Sequence, residues 1–105
     1  MRVLIYEPMR RPREAEIKND LEELQKIVDG YIEAVTLSDG VVMICNEEGK
    51  CRDDLIPNRP LRNEEGKIVD IICGTFIVCG VSGENFTGLT EEQAHTWKTR
   101  FARFI

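Results

Sequence analysis

Ile68-Val69-Asp70-Ile71-Ile72-Cys73-Gly74-Thr75-Phe76-Ile77-Val78-Cys79-Gly80-Val81 is the most apolar stretch of the chain, interrupted only by Asp70, Gly74, Thr75 and Gly80. It reads as a central strand, with a bulge or a close backbone approach at Gly74. A central strand needs neighbours, and the flanking sequence supplies them. Tyr31 to Leu37 alternates Tyr31, Glu33, Val35 and Leu37 against Ile32, Ala34 and Thr36, and Asp39-Gly40 is a hairpin signal before Val41 to Cys45. Further upstream, Val3 to Glu7 is β-prone and ends at Pro8; Met9-Arg10-Arg11-Pro12 has turn composition, and Arg13 to Lys18 alternates weakly, so an N-terminal hairpin is expected. Asn19 or Asp20 caps a helix with Leu21, Leu24, Ile27 and Val28 on one stripe, closed by Gly30 as its left-handed residue. Downstream, Ser82 to Gly88 is a loop, and Thr90-Glu91-Glu92-Gln93 is a capping box opening a last helix with Ala94, Trp97, Phe101, Phe104 and Ile105 at helical spacing. Between the second hairpin and the central strand lie a polar turn, Asn46 to Lys50, and a long irregular segment centred on Ile56-Pro57-Asn58-Arg59-Pro60, whose prolines exclude a regular helix and a central strand. Asn63-Glu64-Glu65-Gly66 is another turn. The expected fold is α+β: a mostly antiparallel sheet of about five strands with two helices, in the order β-β-α-β-β-loop-β-α.

A length of 105 residues fits one domain, residues 1–105, and 42% hydrophobic with 31% charged residues fits a folded core rather than a disordered chain. The formal charge of −5 argues against a broad electrostatic footprint on nucleic acid or anionic lipid. Val3 to Ile5 is too short for a signal-peptide core, and no stretch reaches the roughly 20 apolar residues of a membrane span, so a cytoplasmic protein is expected. Cys45, Cys51, Cys73 and Cys79 form two pairs spaced six apart. Zinc knuckles use tighter spacings beside turn residues, whereas three of these cysteines lie in β-branched runs; buried, reduced thiols with no metal are the expectation.

Catalytic constellations are sparse. The single histidine, His95, falls in the last helix as a solvent-facing residue, and nothing pairs it with a particular thiol. Phosphate-cradling glycine motifs do not occur, and paired carboxylates such as Glu22-Glu23 and Glu91-Glu92 sit on helix faces or turns. Arg10-Arg11-Pro12-Arg13 with Lys98, Arg100 and Arg103 forms the one basic cluster, without interleaved aromatic residues, so nucleic-acid binding is disfavoured. The best candidate site is the polar content of Asn46, Glu47, Lys50, Asn58 and Arg59, with Asp70 opposite. Arg59, stiffened by prolines on either side, could grip a carboxylate or phosphate while Asn46 and Asn58 read an amide or base edge. The competing reading makes Asn46 and Asn58 supports of loop backbone and Arg59 an internal strut to Asp70 or Glu47. The Asn58-Arg59 loop is expected to fold back beside Asn46 and Lys50, making a polar recess at one end of the sheet.

Four blocks resemble one known family. They are Leu21 to Glu33, Asn46-Glu47-Glu48-Gly49-Lys50, Pro57-Asn58-Arg59, and Asp70 to Gly80, in order and across nearly the whole chain. Together they look like the signature of the domain-of-unknown-function family three-eight-four-six. The resemblance implies a shared fold and a setting in bacteria, phages and mobile elements, and it implies no reaction. The family pattern has Gly where this chain has Asp29, and small or apolar residues at the four cysteine positions, which supports a structural role for the thiols. The expected function is that of a non-enzymatic accessory protein acting by binding a protein partner. The alternative is binding or sequestering a small nucleotide-like or anionic ligand through the Asn46–Lys50 and Asn58–Arg59 loops; an enzyme built on the same residues ranks below both. No cofactor is expected. A homodimer would follow if the Trp97 stripe were exposed rather than packed on the sheet.

Overall fold

The computed structural model describes residues 1–49 and 51–105. Eight strands and two helices are present among them: β1 (Arg2–Tyr6), β2 (Arg13–Glu16), α1 (Leu21–Val28), β3 (Ile32–Ser38), β4 (Val41–Asn46), β5 (Pro57–Arg62), β6 (Ile68–Cys73), β7 (Phe76–Ser82), β8 (Asn85–Thr87) and α2 (Glu91–Arg100). The class is α+β, with all strand pairs antiparallel.

The main sheet runs β2-β1-β7-β4-β3, and β8 extends the β1 side of β7. Its centre is β7 and β4, and every residue of β4 is buried. Side chains that alternate along a strand reach opposite faces. Val3, Ile5, Val42, Ile44, Ile77 and Cys79 pack beneath α1 against Leu24 and Val28. Leu4, Tyr6, Val41, Met43, Phe76 and Val78 face the other way, against Ala94 and Trp97 of α2, Phe101 just after it, and Ile72 of β6. Two cores thus share one sheet, with α1 on one side and α2 plus the β5–β6 ribbon on the other. Ala94, Trp97 and Phe101 of the expected stripe are buried in the core, whereas Phe104 and Ile105 stay about half exposed.

The apolar run that reads as one central strand is two strands in two sheets. At Gly74 the backbone takes φ +79, and the chain leaves β6, in the two-stranded ribbon, for β7 in the main sheet. Apolar character continues across the break because Ile72 and Phe76 enter the same core from different layers. The segment centred on Pro57 and Pro60, expected to be irregular, is strand β5. In a two-stranded ribbon each strand pairs on one side only, so a proline pointing its missing N–H away from the partner loses nothing. Ser82 to Gly88 also contains the short strand β8. There Gly80 lets the strands meet: a Cβ would sit 2.6 Å from Thr87 Oγ1 and 2.9 Å from the Gly88 carbonyl.

The caps are local. Asp20 accepts from the Glu23 N–H at the start of α1, and Thr90 and Gln93 form the reciprocal capping box of α2. α1 closes one residue earlier than expected: Asp29, not Gly30, is its left-handed C-cap. Leu21 stays exposed at the first turn of α1, off the stripe assigned to it. Helix α2 ends at Arg100, leaving Phe104 and Ile105 beyond it.

Candidate functional site

The residues that looked most like a ligand site are held by backbone carbonyls. Arg59 is fully buried. Its Nε donates to the Phe101 carbonyl at 2.6 Å, Nη2 to the Arg10 carbonyl at 2.6 Å, and Nη1 to Asn58 Oδ1 at 2.7 Å. The guanidinium lies between two rings, 5.4 Å from the centroid of Tyr6 and 5.3 Å from that of Phe104. Neither Asp70 nor Glu47 is its partner; its acceptors are neutral. Burial pushes the Arg59 guanidinium below its ordinary value, and it stays protonated at neutral pH. What offsets the cost of that cation is the C-terminal end of α2, where the helix dipole is negative and carbonyls lack intrahelical donors. Tyr6 Oη serves the same end, donating to the Trp97 carbonyl at 2.7 Å, and burial pushes its phenol up.

Asn58 is also fully buried and donates through Nδ2 to the Tyr6 and Gly74 carbonyls, both at 2.8 Å. It thereby ties β5 to the end of β1 and to the corner between β6 and β7. Asn46 works elsewhere. Its Nδ2 donates to the Val28 and Asp29 carbonyls at the end of α1, and its Oδ1 accepts from the Glu48 N–H at 2.7 Å. Asn46 therefore caps one helix, and Asn58 with Arg59 braces the other. Glu47 is exposed and Asp70 is half-buried, with Oδ1 accepting from the Ile71 N–H at 2.7 Å. Lys50, the remaining candidate, lies outside the described residues.

Arg52 was missed as a positioning group. Its side chain meets both carboxylate oxygens of Asp54, at 3.0 and 2.6 Å, and also reaches the Asp29 carbonyl and carboxylate. These bonds raise the Arg52 guanidinium above its ordinary value, and the Asp54 carboxyl is held below its own. The result is a clamp that fastens the segment after Cys51 to the end of α1. An arginine flanked by acids three residues after a Gly turn gave no signal of that tie, because half of it goes to a backbone carbonyl.

Opposite the clamped segment lies β6, and between them is an open cleft of about 620 Å³. Leu55, Pro57, Ile68, Val69, Ile71 and Cys73 form its apolar lining, with Arg52, Asp53 and Asp70 at its polar margin. Ile68 and Val69 are about half exposed, at 51% and 59%. A smaller recess of about 330 Å³ lies beside the end of α1, lined by Gly30, Tyr31, Asn46 and Arg52 among others. Among the described residues, the charged side chains lining the large cleft are Arg52, Asp53 and Asp70.

The thiols divide by layer. Cys45 and Cys79 are buried, and burial pushes them up to about 11 and about 12; Cys73 is half-buried. Cys51 is exposed, which corrects the expectation that all four are core residues. Among the described residues no group of His, Cys, Asp and Glu is arranged to hold a metal ion. The basic cluster is partly paired: Arg13 with Glu7, Lys98 with Glu14, and Arg100 over the Trp97 ring. No helix among the described residues is long and apolar enough to cross a membrane.

The chain belongs to the DUF3846 family, a domain of unknown function, whose model matches residues 1–102. No curated protein and no solved structure matches it.

Proposed function

We propose that this chain is a cytoplasmic accessory protein of a phage or mobile genetic element that works by binding another protein, and that the partner seats in the cleft beside β6. The observation that carries this reading is where polar and apolar groups end up. Asn46, Asn58 and Arg59 spend their donors on internal carbonyls, whereas Ile68 and Val69 are left half exposed beside an open apolar cleft. A contiguous apolar surface rimmed by charge is the usual form of a protein-binding site. The setting rests on the family resemblance, and an exposed free thiol at Cys51 suits a reducing compartment.

A photo-crosslinking amino acid placed at Val69, with Glu92 on α2 as the control position, tests this in the cells that make the protein. The expected result is a protein adduct from position 69 alone, whose purified partner binds the wild-type chain and binds Val69→Asp more weakly. Native mass spectrometry runs alongside. A retained small molecule with no protein adduct would put the ligand reading ahead.

A further inference from the structure

We propose that two copies of this chain pair through β3, antiparallel and across a two-fold axis at Ala34, so that their main sheets join into one. The join uses a surface apart from the cleft beside β6 and does not depend on what that cleft binds.

Strand β3 ends the order β2-β1-β7-β4-β3, and among the described residues it is hydrogen-bonded to β4 alone. Along an antiparallel pair, residues that turn their backbone groups toward the neighbour alternate with residues that turn them away. One bond fixes the phase. The Glu47 N–H donates to the Tyr31 carbonyl at 3.0 Å, immediately ahead of the Ile32 and Asn46 pair, so Tyr31, Glu33 and Val35 turn toward β4. The N–H and C=O groups of Ile32, Ala34 and Thr36 therefore point outward, to the side where no strand stands among the described residues.

Edges that must stay free are usually blunted by charge, proline or shortness. The opposite end of the sheet follows that pattern: β2 is four residues, Arg13-Glu14-Ala15-Glu16, directly after Pro12. Strand β3 does not. It runs for seven residues without proline or lysine, and Glu33 is its sole charge. Its register shift against β4 falls between Thr36 and Ser38, beyond the outward groups.

The edge is also complementary to itself. With Ala34 facing Ala34 of the second copy, Ile32 of each chain faces Thr36 of the other, and every outward N–H and C=O of these residues meets a partner. Glu33 then stands opposite Val35. Moving the axis to Glu33 would set two carboxylates against each other, and moving it to Val35 would pair Ile32 with Ser38, past the register shift. Ala34 and Thr36 are small and exposed, so the strands can close without displacing bulk. Tyr31, 67% exposed, is carried toward Leu37 of the second copy. A foreign strand would find little charge on β3 to select it, whereas a second copy matches the edge position by position.

Sedimentation of the full chain over a range of concentrations, with amide hydrogen exchange alongside, tests the join. The expected result is a reversible monomer–dimer equilibrium in which exchange at Ile32, Ala34 and Thr36 slows as the dimer forms. Ala34→Lys and Ala34→Glu each place like charges at the axis and should weaken the dimer about tenfold or more. Mixed in equal amounts, the two variants should pair again, because opposite charges then meet. If either variant fails to fold, the concentration dependence of exchange at Ala34 in the wild-type chain still decides. A wild-type chain that stays monomeric at millimolar concentration would overturn the inference. So would a dimer that Ala34→Lys leaves unchanged, or one that forms without slowed exchange at Ala34.

Discussion

Replacing Arg59 by Ala separates a structural guanidinium from a ligand-facing one. Truncation leaves the Phe101 carbonyl, the Arg10 carbonyl and Asn58 Oδ1 without their donor. A buried acceptor left unpaired costs roughly 1–3 kcal/mol. The Arg10 contact is only partly buried, so water can replace the donor there, and two acceptors remain in dry surroundings. Packing between the Tyr6 and Phe104 rings is lost as well. Against these losses stands the desolvation of a buried cation, several kcal/mol, which the variant no longer bears. The C-terminal carbonyls of α2 already offset much of that cost in the native protein, so the losses win. The expected destabilisation is about 3 kcal/mol, a large share of the ~5–15 kcal/mol that a small domain has in total. Urea unfolding with the m-value held common measures it. Because carbonyls do not titrate, the loss should be the same at neutral pH and at about pH 4, unlike that of a carboxylate pair. Arg59→Met keeps apolar length and removes the donors, and should fall between Ala and wild type. A loss below about 1 kcal/mol for Ala, or a Met variant more stable than wild type, would refute the brace.

Trp97→Ala should cost ~3–5 kcal/mol, because the indole is buried between α2 and the sheet and packs on Phe101; an unchanged unfolding midpoint would mean the face is not core. Cys79 and Cys45 are raised in the folded chain, so their thiols bind protons more tightly when folded than when unfolded. Their contribution is complete below the unfolded value near 9 and is lost as pH rises towards about 11 and about 12, so stability should fall from about pH 9 upward, less steeply in Cys79→Ala; equal slopes for variant and wild type over that window would contradict the burial argument.

Much of the fold was readable because alternation and capping are local. The opposed faces of β1 and β4, the Asp39-Gly40 hairpin and the capping box at Thr90 all lie within a few residues of the groups that cause them. What was not readable depended on distant partners. The break at Gly74 sits inside continuous apolarity, since Ile72 and Phe76 share a core though their strands do not share a sheet. The prolines of β5 were correctly excluded from a central strand, yet only a two-stranded ribbon shows that a strand was still open to them. Asp29 took the left-handed position although the neighbouring Gly30 offered an easier one, because the carbonyl of Asp29 is drawn to Asn46 and Arg52. The candidate residues failed to declare their roles for a related reason. Asn46, Asn58 and Arg59 bind backbone carbonyls, and a carbonyl has no residue identity for a sequence pattern to reveal.

The same residues explain why an open cleft beside β6 exists at all. Two prolines deprive β5 of donors, so a ladder alone holds it weakly to the rest of the molecule. Asn58 and Arg59 supply what is missing, one bonding the end of β1 and the Gly74 corner, the other the end of α2. Anchored on that inner side, β5 carries β6 as the outer strand of a ribbon that needs no third strand to stay in place. Arg52 then fixes the facing wall by gripping the end of α1. A cleft with one braced strand and one clamped segment as its walls is pre-organised, which lowers the ordering cost that a partner would otherwise bear on binding. The buried Arg59 network is thus connected to the open surface through β5. Loosening it should be felt at β6, even though no atom of Arg59 reaches solvent.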